Sequence, residues 1–397
     1  MVRPVRRAKH PARAHETVAH LSARTPPGSI YWSESVFDKE LDTMFYRNWL
    51  NVGRSEQLSA PGAFFTRQVG DENLLCLRDS GQKAHAFFNV CQHRGTQLVA
   101  ADAGDNLRSI ICPYHAWTYG LDGRLQGAAH TEGLVNFDKR GVRLPEASLV
   151  EQSGFLFVRI GPAGPPFGSV LGPLFSRFER LRLDRLRLGG RMTYEVEANW
   201  KIIAENYSEC YHCAPVHPGL NRVTPYTTGE NDQYFGRSAD GSRFAGGWMT
   251  FAKDFNSMTR SGYTSRPALS GSTMEDRRRI YYYTVFPNLL FSLHPDYLML
   301  HRVWPTSPTH STIENEFYFE PQTLRRPDFD PSDAVGMWDE INRQDWAVCE
   351  AAQRGSRSRS WKGGRYAEGE SLVHDFDRFY LAELRRAGSP PGARSAH

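Results

Sequence analysis

Hydrophobic and polar positions change period several times along the chain. Over residues 32–50, WSESVFDKELDTMFYRNWL, the apolar positions Phe37, Leu41, Met44, Phe45 and Trp49 recur every three to four residues. That spacing predicts a helix, with Ser33 or Ser35 as its cap. From about residue 62 the period becomes that of strands, at 63–69, 73–78, 84–90, 108–112, 115–119 and 154–160. Asp79-Ser80-Gly81 supplies a hairpin turn. Residues 52–160 therefore read as a small antiparallel β domain. The Pro- and Gly-dense run GPAGPPFG at 161–168 breaks the pattern as a linker or crossing loop.

Beyond the break, the pattern predicts a helix over 170–185, a strand over 191–198 and a helix from Trp200 to Cys213 that stops near Pro215. Residues 220–275 are polar and rich in Gly and Ser, and read as loops covering a substrate site. Four strongly β runs follow at 279–286, 288–294, 297–304 and 312–320, then helices over 331–353 and 370–386. No segment repeats. The expected fold class is α+β: an all-β domain, then a helix-covered antiparallel sheet. The expected segments are an arm at 1–28, a helix at 29–51 packing on the second domain, a β domain at 52–160 and a second domain at 161–397.

Composition narrows this little. The chain's 397 residues hold two domains or one large one, and 40% hydrophobic with 23% charged residues is ordinary for a globular protein. A net charge of +4 is too small to point to nucleic acid or a membrane surface. No apolar run approaches the roughly 18–20 residues that span a bilayer. The basic start (Arg3, Arg6, Arg7, Lys9, Arg13) holds an Arg pair but no apolar stretch after it. It reads as a disordered arm, and the expected location is the cytoplasm. A chain this long needs no disulfide framework. Cysteines grouped with histidines therefore read as metal ligands rather than bridges.

Two such groups stand out. Cys91-x-His93 and Cys112-x-x-His115 each close a strand run and each offer one thiolate and one imidazole. Together they read as a Rieske [2Fe–2S] site, with two Cys on one iron and two His on the other. The alternative is a structural zinc site, which more often takes its ligands as separate Cys and His pairs. Tyr114 and Trp117 read as shields of the cluster, and Cys76 and His85 as packing residues.

The second group is NWKIIAENYSECYHCAPVH at 199–217. Glu209 and His212, three apart on a helix, share a face, and His217 can swing back past the break at Pro215. Two imidazoles and a carboxylate form the facial triad of non-haem Fe(II) oxygenases. The carboxylate is either Glu209 or, from the late helix, Asp345 in NRQDWAVCE. Cys210 and Cys213 read as packing on other faces of the helix.

With these motifs the chain resembles the α (oxygenase) subunits of Rieske non-haem iron oxygenases, from about residue 30 to 387. The resemblance implies that Cys91, His93, Cys112 and His115 ligate the cluster and that His212, His217 and Asp345 ligate mononuclear Fe(II). It implies that Glu209, where the family more often has Asp, carries electrons to the iron from a cluster in a neighbouring subunit of a ring, commonly a trimer. ECYHC with the late NRQDW is similar to the branch that oxidises quaternary ammonium compounds such as glycine betaine, carnitine and proline betaine. A member of that branch hydroxylates or N-demethylates its substrate with O2. The alternative is an aromatic ring-hydroxylating α subunit. No G-x-G-x-x-G follows a strand and no further cysteine quartet exists, so a separate flavin and iron–sulfur NAD(P)H reductase is expected as partner. The basic run 354–359 is either its docking point or a solvated loop. An electron carrier or a zinc-stabilised binding module would not need His212, His217 and Asp345.

Overall fold

Six of the seven strands of the large sheet follow one another along the chain, so simple reversals build it. In the computed structural model, residues 20–161, 164–236 and 241–386 are described. The sheet's spatial order is Arg187–Val196, His310–Phe319, Leu298–Ser307, Leu289–Leu293, Arg279–Val285, Phe244–Thr250 and Glu230–Gln233. Every pairing in it is antiparallel. The first strand in the chain pairs with the last.

Its central strands are apolar without a clean alternation because both faces are covered. On one face Leu298, Leu300 and Phe291 pack with Phe175, Phe178 and Leu181 from the short helical segments between 167 and 185. On the other, Ile280, Met299 and Phe317 pack with Met337, Trp338 and Ile341 of the helix Ser332–Ser356. The period of two thus sends neighbouring residues to two separate cores.

The small domain holds three short sheets. Strand Leu50–Arg54 pairs antiparallel with Phe155–Arg159, so the chain enters and leaves this domain side by side. The joint to the large sheet is polar and buried. Asn51 and Asn288 exchange two hydrogen bonds, backbone N–H to Oδ1 at 3.0 Å and Nδ2 to carbonyl at 3.0 Å. The molecule is α+β, a β domain beside a helix-covered antiparallel sheet.

Several expectations need correction. The helix expected over 32–50 is regular only over Glu34–Glu40 and widens into a π-turn over Leu41–Phe45. Leu50 must be extended to pair with Val158, so the helical period cannot run on. Glu40 fixes this segment against the second domain: its carboxylate lies 2.6 Å from Lys201 Nζ and accepts from Trp200 Nε1 at 2.8 Å. The helix expected to reach Cys213 ends at Tyr207. The 170–185 region is a series of short turns rather than one helix. Much of the supposed arm, residues 1–19, lies outside the described residues. Its end does not fit the expectation, because His20 is buried and the Thr25 backbone N–H donates to Gly364. The stretch 220–275 is not all loop, since it contributes strands Glu230–Gln233 and Phe244–Thr250.

Candidate metal centres

The two Cys/His loops are built alike. In the first, Cys91 N–H donates to Thr96 O and Gly95 N–H to Cys91 O. In the second, Cys112 N–H donates to Trp117 O and Ala116 N–H to Cys112 O. The residue four past each cysteine turns left-handed, Gly95 at φ 73° and Ala116 at φ 55°. Both cysteines are buried, whereas both histidines are exposed. The His93 and His115 rings lie 4.8 Å apart; His93 stacks on Trp117 at 4.7 Å and His115 on Tyr114 at 3.7 Å.

Burial opposes ionisation of Cys112, but backbone N–H groups of Tyr114 and His115 donate to it, and its pKa is lowered. The thiolate is the metal-binding form. Tyr119 Oη sits 3.4 Å from Cys91 Sγ. Among the described residues, one set of three or more His, Cys or acidic donors converges on a single point, and it lies elsewhere. Two buried cysteines and two exposed histidines on paired loops are the donor set of a cluster with two Cys on one iron and two His on the other. Cys76 and His85 take no part: burial pushes Cys76 up to about 12, and His85 lies between Glu146 and Asp79 at 2.8 and 3.1 Å.

The converging set is His212, His217 and Asp345, whose donor atoms all lie within 4.8 Å of one another. Asp345 Oδ1 is 2.8 Å from His217 Nε2 and 3.2 Å from His212 Nε2. Asp345 reaches the site from the long helix Ser332–Ser356, a rigid mount. Two imidazole nitrogens and one carboxylate on a common point fit a divalent iron. Burial raises the Asp345 carboxyl, but hydrogen bonds from both histidines outweigh it and lower its pKa. Burial likewise disfavours charge on His212, yet Asp345 and Glu209 push its pKa up to about 9. A metal ion bound here takes the place of that proton.

Each histidine is also held from behind. Glu209 Oε1 lies 2.5 Å from His212 Nδ1, and Gln344 Oε1 lies 2.7 Å from His217 Nδ1. Glu209 does not reach His212 along a helix. It closes a turn, accepting from the backbone N–H of Tyr211 and of His212. Cys210 and Cys213, read from sequence as separate packing residues, are joined as a disulfide because the turn brings them together. Gln344 was not legible as a site residue. Only its place beside Asp345 marked it.

A cavity of about 660 Å³ opens beside the three donors. Tyr207, Trp248, Tyr282 and Trp338 line it, together with Tyr226 from the stretch expected to cover the site. Gly246 and Gly247 belong to its wall, and neither leaves room for a Cβ against the backbone of Tyr282 and Glu230.

Comparison with known proteins covers both regions. Residues 48–138 match the Rieske [2Fe-2S] domain, and residues 183–385 match the ring hydroxylating alpha subunit (catalytic domain). The chain is 28% identical over 346 residues to the carnitine monooxygenase oxygenase subunit of Acinetobacter baumannii, covering 86% of this chain and 87% of that one. It is 27% identical over 364 residues to the glycine betaine monooxygenase oxygenase subunit of Pseudomonas aeruginosa, covering 86% and 84%. A solved quaternary ammonium Rieske monooxygenase in complex with L-carnitine superposes with a TM-score of 0.72 at 24% identity, covering 93% or more of each chain (94% and 97%).

Proposed function

The chain belongs to the ring-hydroxylating α-subunit family, and we propose that it is the oxygenase component that oxidises a quaternary ammonium compound. The family makes it a Rieske non-haem iron oxygenase, with a [2Fe–2S] cluster in the first domain and a mononuclear iron in the second. The observation that carries the reading is the convergence of His212, His217 and Asp345 at the edge of an aromatic cavity.

Cys91, His93, Cys112 and His115 would hold the cluster, and His212, His217 and Asp345 the iron. When bound, these groups supply one-electron transfer and reductive activation of O2. The protein's own residues do the rest. Gln344 and Glu209 fix the ring orientations of His217 and His212. Aromatic faces in the cavity hold a cationic ammonium group and exclude water around it. Substrate held there is hydroxylated on an N-methyl or adjacent carbon, and the carbinolamine collapses to an aldehyde and the shortened amine. One oxygen atom enters the product and the other leaves as water, with two electrons and two protons from a separate NAD(P)H reductase.

Glu209 is assigned a second role, carrying electrons from the cluster of a neighbouring subunit. The exposed His93 and His115 make that cluster reachable from outside its own chain. That role requires a ring-shaped oligomer, commonly a trimer in the family. Names of the relatives support the substrate class; their substrates are their own.

The test is a substrate panel on anaerobically reconstituted protein with a surrogate reductase, following O2 uptake and aldehyde. Aldehyde released in proportion to one ammonium compound supports the reading. Uptake with an aromatic acid alone, giving a hydroxylated ring, overturns it.

A further inference from the structure

We propose that the substrate is an ammonium cation without a carboxylate, such as an amino alcohol, rather than a betaine. This rests on the reading of the chain as an oxygenase of quaternary amines and narrows it.

The cavity wall carries the inference. Apart from the two histidines of the metal set, its ionisable lining groups of acid or base type are Glu209, Asp345 and Glu368, all carboxylates. Among the described residues neither Arg nor Lys lines it. An arginine next to the wall is already engaged: the Arg279 guanidinium lies 4.1 Å over the Trp248 ring and 2.5 Å from Glu275. A charged group taken out of water needs a partner of opposite sign, and an unpaired one is expelled or neutralised. The ammonium end of any substrate finds aromatic faces and carboxylates here. A carboxylate at the other end finds neither a guanidinium nor an ammonium among the described residues.

Two of these carboxylates flank His212, Asp345 among the metal donors and Glu209 behind the ring. Glu368 remains, exposed at the cavity. It attracts a cation and repels a betaine's acid end. What the wall offers a substrate tail is neutral. Asn206, Thr227 and Asn231 line it, as does Tyr282, whose buried hydroxyl has no hydrogen-bond partner. Such groups suit a hydroxyl. Trimethylammonium head groups are common to amino alcohols and betaines, so the tail decides between them.

The experiment is calorimetric titration of the anaerobic holoprotein with choline, glycine betaine, carnitine and benzoate, each also assayed for turnover. Choline should bind at least about tenfold tighter than either betaine. Equal or tighter binding of glycine betaine or carnitine overturns the inference and leaves the quaternary-amine reading standing. Binding and oxidation of benzoate with no ammonium compound bound sinks that reading itself. An Asn231→Arg variant places a guanidinium at the wall. It should move the choline-to-betaine preference about tenfold toward betaine, with the cluster's visible spectrum unchanged as the check on folding. A folded variant that binds choline as before and gains nothing for betaine shows that the missing cation is not what selects the tail, and overturns the inference.

Discussion

His217 is gripped at both ring nitrogens by neighbouring residues of one helix, Gln344 Oε1 at 2.7 Å from Nδ1 and Asp345 Oδ1 at 2.8 Å from Nε2. The amide oxygen fixes which nitrogen carries the proton and which is free for metal. Groups in this position are worth about 10–100-fold in metal affinity. Gln344→Leu should therefore lose iron from the second site by about that factor while keeping the cluster. Iron-to-sulfide ratios after dialysis against a mild chelator read this directly. Unchanged iron content would show that Asp345 and the fold hold His217 without help.

Gln344 also marks where sequence reasoning ran out. Cys91, His93, Cys112 and His115 were legible because each pair sits within one loop and metal ligation restricts spacing. His212 and His217 were legible for the same reason. Asp345, more than a hundred residues away, was one of two carboxylates the residues left open, and only the resemblance favoured it. The geometry puts it on the common point and puts Glu209 behind His212. Nothing in an amide's type or period announces a ligand's support. The helix at 200–213 was overrun because apolar spacing carries no sign of the cap at Ser208, whose N–H is shared between Ala204 O and Glu205 O and whose hydroxyl also donates to Ala204 O. The strands of the large sheet were legible because central, doubly covered strands are unbroken apolar runs. Which of their aromatics face the cavity was not, since that needs the register between strands.

The Tyr119 hydroxyl lies 3.4 Å from Cys91 Sγ. Hydrogen bonds to cluster sulfurs stabilise the reduced, more negative state and raise the reduction potential. Tyr119→Phe should lower the cluster's midpoint potential, on the order of tens of millivolts, without changing its iron content. Spectroelectrochemical titration measures it. A potential that stays put would mean the hydroxyl serves only the Gln92 N–H, which donates to it at 3.1 Å.

Half-buried Glu205, on the helix Trp200–Tyr207 that leads to the iron site, lies beside the buried carboxyl of Asp377. Burial pushes Glu205 well above the usual range, with repulsion from Asp377 adding to it, and burial pushes Asp377 up to about 6. Among the described residues Asp377 Oδ1 has no hydrogen-bond partner, and a proton shared with Glu205 would satisfy it. Both folded-state values lie above the unfolded ones near 4. The stability these two protons contribute is thus full below about pH 4; the share of Asp377 is lost as pH rises through about 6, and that of Glu205 only above its own raised value. Glu205→Gln keeps a donor toward Asp377 without needing the proton. Its melting temperature should fall less than that of the native chain between pH 5 and 7, a difference on the order of 1 kcal/mol. Parallel curves for the two proteins would show that the pair does not titrate in this window.

We propose two separable jobs for Glu209, and Glu209→Gln separates them. As a structural group it accepts the Tyr211 and His212 N–H bonds that close the turn, and it lies 2.5 Å from His212 Nδ1. A glutamine has one oxygen for the bonds that two carboxylate oxygens now accept; turned toward His212 Nδ1 it keeps that ring held, so both metal centres should remain loaded. As an electron carrier between subunits it supplies a charged link, which a neutral amide cannot mimic. The cluster should then still be reduced by the reductase at its normal rate, while aldehyde formation per NADH falls by at least about a hundredfold, the scale at which an oriented relay is worth several kcal/mol. Stopped-flow reduction of the cluster and single-turnover product yield, measured on the same sample, distinguish the outcomes. Loss of iron would reduce Glu209 to a support for His212. Near-normal product with both centres loaded would remove it from the electron path altogether.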